Sequence, residues 1–157
     1  MIYTLDFEIG SNTSEPGRIT DNIYLVRGLI YKIEFKFPPG CAGLAHVCIN
    51  QGVSQIWPST SGNYFASDNE TISFDDLFEI TSEPAQLEAY GYNEDTANKH
   101  TIYIRIGLVD KWEYQARFLP TIITKMRKLE EEQEEAQYKE VAPKIELILP
   151  FRANREL

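Results

Sequence analysis

The sequence predicts a mainly β protein: an antiparallel β-sandwich, jelly-roll-like, with a C-terminal helix and a short extended tail. Three observations lead there. Between residues 2 and 109, about eight short segments alternate apolar and polar residues, with turn formers between them and no interleaved helix. Aromatic residues make up 12% of the chain, including nine Tyr and eight Phe, which suits half-buried pleated surfaces. From residue 119 the spacing of apolar residues turns helical.

The first segment, IYTLDFEI (2–9), sets Tyr3, Leu5, Phe7 and Ile9 on one face and Thr4, Asp6 and Glu8 on the other. A polar loop (10–17) follows, then strand-like sequence at 19–26, broken at Arg27-Gly28. LIYKIEFKF (29–37) is the strongest pattern. Leu29, Tyr31, Ile33, Phe35 and Phe37 read as one face, and Ile30, Lys32, Glu34 and Lys36 as a wet one. Pro38-Pro39-Gly40 stops it, since proline gives the ladder no N–H. In GLAHVCIN (43–50), Ala45, Val47 and Ile49 read as inward, opposite Leu44, His46, Cys48 and Asn50. QGVSQIWPS (51–59) is a glycine turn, a short strand and a proline stop. Residues 61–69 read as a loop and 71–80 as a strand, although Phe74, Leu77 and Phe78 also suit one helical turn. Leu87, Ala89 and Gly91 alternate with Glu88, Tyr90 and Tyr92. Ile102, Ile104 and Ile106 close the series against Tyr103 and Arg105.

These segments define a sandwich over residues 1–118, a helix over 119–142 and an apolar tail over 143–157. Ile122, Met126 and Leu129 form the helix's apolar row, which gives way to Gln133 and Ala136. Lys125, Arg127 and Lys128 come early in this helix. In residues 130–140, six glutamates against one lysine leave −5, more than half of the chain's net −9. This polarity runs against the helix macrodipole. Pro143 marks the expected end, and KIELILPF (144–151) carries Ile145, Leu147, Leu149 and Phe151 in an extended arm.

A net charge of −9 with no basic cluster argues against nucleic acid and anionic membranes as partners. The start, MIYTLDFEIG, does not read as a signal peptide, so synthesis in a host cytoplasm as a soluble chain is expected. Two cysteines make no disulfide scaffold, and Cys41 and Cys48 are expected as free thiols. Cys41, His46 and Cys48 are too few for a zinc site and carry no nucleophile signature. Asp68, Asn69, Glu70, Asp75 and Asp76 fit no EF-hand spacing and read as loop acids. No phosphate-loop, dinucleotide or hydrolase motif is present, so neither an enzyme nor a cofactor is expected.

The block GLIYKIEFKFPPGCAGLAHVCINQGVSQIWPS, followed by YGYNEDTANKHTIYIRIGLV, resembles small sandwich domains of virion accessory proteins. These decorate capsids or form fibres and turrets in tailed and archaeal viruses. The likeness covers residues 23–109. It rests on the strand ending in Pro-Pro-Gly, the Trp-Pro stop and the Gly-Tyr-Asn turn before the last strand. It implies a structural role in the virion without catalytic residues, with termini contacting other copies and other particle proteins. Ile122, Met126, Leu129, Ile145, Leu147, Leu149 and Phe151 are the expected assembly contacts. The alternative is a carbohydrate- or receptor-binding module that offers Trp57, Tyr90 and Tyr92 to a surface glycan.

Overall fold

The computed structural model describes residues 1–81 and 83–146. Eight strands form the first unit: β1 (Ile2–Ile9), β2 (Ile19–Tyr24), β3 (Gly28–Phe37), β4 (Ala45–Gln51), β5 (Ser54–Trp57), β6 (Glu70–Ile80), β7 (Gln86–Asn93) and β8 (His100–Val109). Two helices follow, α1 (Lys111–Ala116) and α2 (Leu119–Glu146). By compactness the chain divides into Met1–Tyr114 and the residues from Gln115 onward.

The strands make two four-stranded sheets, ordered β1-β8-β3-β6 and β2-β7-β4-β5. The pairs β1·β8, β2·β7, β3·β6 and β4·β5 are all antiparallel. The chain is therefore one long two-stranded ribbon, folded back at the β4–β5 turn and wrapped so that successive pairs alternate between sheets. That is the jelly-roll arrangement the alternation predicts.

The core lies between the inner faces. One sheet supplies Phe7, Ile9, Ile33, Phe35, Ile102, Ile104 and Ile106; the other supplies Ile23, Val47, Ile49, Leu87 and Ala89. Apart from Ile23, whose segment carries no clear alternation, these are the residues whose alternation reads as inward.

At the start of β3 the faces differ from the sequence reading. Ile30 is fully buried, whereas Tyr31 is half-buried and lies on the outer face. Consecutive Gly107 and Leu108 of β8 face Lys32 and Ile30, so Tyr31 is an extra residue in β3. Such a bulge reverses the alternation on its far side. The Tyr31 ring then lies over Gly107, where an added Cβ would stand 2.9 Å from its Cζ.

β6 is a strand throughout, not a helical turn. It has no β3 partner at Asp76 and Leu77, where it passes the bulge. Ile72, Phe74 and Phe78 pack against the core from alternate positions, and Leu77 is exposed.

Helix α1 is absent from the sequence reading. Asp110 caps it, accepting the backbone N–H groups of Trp112 (2.8 Å) and Glu113 (3.4 Å). Lys111 in its first turn pairs with Glu79 of β6 at 2.8 Å. Helix α2 runs past Pro143 to Glu146, beyond the predicted end near residue 142. A proline three residues from a helix end removes one backbone bond, and the remaining turn is completed by its neighbours. Ile145 is therefore in the last helical turn rather than in an extended arm. Leu147, Leu149 and Phe151 lie outside the described residues.

Candidate functional site

The group around the cysteines resolves into parts of the sheet and its turns. Cys41 is buried in the turn after β3, and Cys48 is buried on β4. Both are free thiols. Burial raises both thiols, Cys48 to about 11, so neither is a thiolate at neutral pH. The Cys48 thiol instead contacts Asn50 Oδ1 at 3.6 Å. Among the described residues no cluster of three or more His, Cys, Asp or Glu side chains could hold a metal ion.

Of the acids read as loop residues, Glu70, Asp75 and Asp76 lie on β6 instead, and the acids here have local tasks. Asp68 Oδ1 accepts the N–H groups of Gly40 (2.8 Å) and Ala42 (3.1 Å), closing the turn that Pro38-Pro39 begins. Asp75 sits opposite Lys32 in the β3·β6 ladder. Asp76 Oδ2 accepts the indole N–H of Trp57 at 2.7 Å. Asp95 accepts the N–H groups of Ala97 and Asn98, and these bonds hold its carboxyl well below the usual carboxylate range.

Trp57 does not face a ligand. It is 2% exposed, with its ring edge-on to Phe78 at 5.5 Å. The proline after it ends the strand, which the sequence reading took for a presenting loop. The backbone register puts Trp57 opposite Ile49 on the core side.

Tyr90 and Tyr92 do share a surface, the outer face of the β2-β7-β4-β5 sheet. The register sets Tyr92 opposite His46 and Tyr90 opposite Cys48. His46 and Tyr92 stack at 4.2 Å with their planes 6° apart. Tyr64 meets Tyr92 edge-on at 4.9 Å. It is held there because its neighbour Phe65 bridges to Val47 and packs inward on Phe35 at 4.8 Å. The Arg18 guanidinium lies 5.3 Å from the Tyr90 ring centre, and the Tyr90 hydroxyl donates to Glu88 at 2.8 Å. Burial raises the Tyr64 and Tyr92 phenols, and the bond to Glu88 raises that of Tyr90, so all three stay protonated at neutral pH. His46 Nε2 is 3.4 Å from Glu94 Oε2 but makes no hydrogen bond with it.

Two shallow grooves flank these rings. One, of about 300 Å³, is lined by Asn12, Thr13, Ser14, Glu15, Tyr92, Asn93 and Glu94. The other, of about 250 Å³, includes Glu15, Arg18, Asn50, Gln55 and Tyr64. Gln55 is already committed: its amide donates to Pro58, Thr60 and Asn63 and fixes the loop after β5. The face offers ring surfaces and planar polar groups. Arg18 is a member that sequence reasoning misses, and His46 enters that reasoning only beside the cysteines. Arg18 gave no signal, because its partner Tyr90 is distant in sequence.

The second surface is on α2. Ile122, Met126 and Leu129 do lie along one side, joined by Leu119 and Ile123, and these five are 49–57% exposed. No described helix is long and apolar enough to cross a membrane. Comparison of the chain with protein-family models and with curated proteins returned no match.

Proposed function

We propose that this chain is a non-enzymatic structural component of a virus particle, a capsid-decoration, turret or fibre-type subunit. It assembles with copies of itself and with other particle proteins through α2 and the segment after it. One observation carries this reading: five large apolar side chains stand about half exposed at the start of a 28-residue helix that the sandwich core does not include. Such a row is costly in water and marks a contact surface. The jelly-roll unit, with its core enclosed between two sheets, is the body that would be displayed.

Truncation tests it. Light scattering on the full chain should show an oligomer. Residues 1–118 should stay folded, with an unchanged thermal midpoint, and be monomeric. A full chain that is monomeric alone and with its particle would sink the proposal.

The stacked His46–Tyr92 pair with Tyr64 beside it favours a second reading, a carbohydrate- or receptor-binding module. Tyrosine rings can stack on a sugar while Arg18, Asn50 and Glu94 bond its hydroxyls. On a glycan array, a specific signal that falls at least tenfold in Tyr92→Ala is the expected result. An array with no specific signal for the native chain rules this reading out.

A further inference from the structure

We propose that α2 pairs antiparallel with the α2 of a second copy; the proposal rests on reading α2 as an assembly element and adds its partner and direction. Leu119, Ile122, Met126, Leu129, Gln133 and Ala136 follow one another at steps of three and four. That is the narrow seam of a helix packing against one other helix. Its first four members are 49–57% exposed, and Gln133 and Ala136 are exposed as well.

Charge decides the direction. Residues 119–129 carry Lys125, Arg127 and Lys128 with no acid, while residues 130–140 carry six glutamates and one lysine. A parallel pair would set glutamate run against glutamate run and lysine against lysine. An antiparallel pair sets each basic half against the other copy's acidic half. It also brings the negative C-terminal end of one helix dipole alongside the basic start of the other. The polarity that weakens α2 alone is thereby compensated.

The seam accepts this pairing. With the two-fold axis between residues 127 and 128, Met126 meets Leu129 of the second copy and Leu119 meets Ala136. Lys125 then lies beside Glu132 of the second copy, twice by symmetry. By the same register Ile122 faces Gln133 of the second copy, so the large apolar pairs sit at the centre, Met126 with Leu129, and one mixed pair and the small Ala136 close the seam on each side.

Pulsed electron paramagnetic resonance on the full chain tests the direction. Tyr138→Cys and Thr124→Cys each place a spin label on the side of α2 away from the seam, at exposed positions. Cys41 and Cys48 are buried, and the unsubstituted chain put through the same labelling is the control. Antiparallel pairing separates the two labels of a dimer along the axis by about 32 Å at 138 and about 10 Å at 124. A clearly longer distance at 138 than at 124 is the expected result. Equal distances at both sites overturn antiparallel pairing and leave self-assembly through α2 standing. A chain that sedimentation shows to be monomeric, with no dipolar signal at either site, overturns the pairing together with the reading of α2 as a self-assembly element.

Discussion

Replacing Trp57 by alanine is expected to lower the stability of the sandwich by about 3–5 kcal/mol, the range for deleting a large buried aromatic. The indole is 2% exposed, packs edge-on to Phe78 and donates its N–H to Asp76 at 2.7 Å. Trp57 is also the last residue of β5, a four-residue edge strand. Removing the ring leaves a cavity under that edge. Asp76 is exposed, so water can replace the lost hydrogen bond and most of the loss is packing. Urea unfolding of Trp57→Ala against Asp76→Ala separates the two parts, with Asp76→Ala, which removes the acceptor, costing about 1 kcal/mol. A loss below about 1 kcal/mol in Trp57→Ala would mean that the indole is not part of the core.

Gly91→Ala is the second large effect, with an expected cost of about 3 kcal/mol, the upper end for overpacking. A Cβ at this position would stand 2.6 Å from Phe7 Cε1, 2.7 Å from Ile9 Cδ1 and 2.8 Å from the His46 carbonyl oxygen. The two side-chain atoms can rotate away at some cost. The carbonyl cannot, because it belongs to the β4·β7 ladder, in which Val47 faces Gly91. Glycine is thus what lets Phe7 and Ile9 of one sheet close onto β7 of the other. Gly10→Ala, whose new Cβ meets only Thr13 Oγ1 at 3.7 Å, is the control and should be near neutral. Equal unfolding midpoints for the two variants would refute the close approach.

Most of the sandwich was legible because one rule, alternation, governs a strand with one wet side. Ile102, Ile104 and Ile106 against Tyr103 and Arg105 could be assigned to faces without any knowledge of partners. Where the rule broke, the cause was a neighbouring strand. Nothing within LIYKIEFKF says that Tyr31 is an extra residue; the β8 register makes it so. Gly107 was the available hint, since a glycine in a strand leaves room for a ring from the next strand. The burial of Trp57 is hidden from the sequence for a different reason. A proline stop shows where a strand ends and says nothing of which face its last residue occupies. Tyr90 and Tyr92 were placed on a common face by parity alone. Their joining with His46, Tyr64 and Arg18 depends on contacts between distant segments, which a single sequence does not display. On α2 the spacing of Ile122, Met126 and Leu129 shows the row directly, whereas Pro143, which removes a single N–H, does not end the helix.

The pairing of the first strand with the last has a consequence for the order of events during synthesis. Ile2 sits opposite Gly107, and Ile9 opposite His100. β1 therefore has no partner until nearly the whole unit has left the ribosome. Until then the apolar side of β1, with Phe7 and Ile9, must wait unpaired. Contacts of such long sequence separation are slow to form, so the sandwich is expected to close late and in milliseconds to seconds rather than microseconds. The interval in which β1 waits is when this protein is most exposed to pairing with the wrong strand, its own or another copy's. Its acidic surface charge keeps nascent copies apart during that interval.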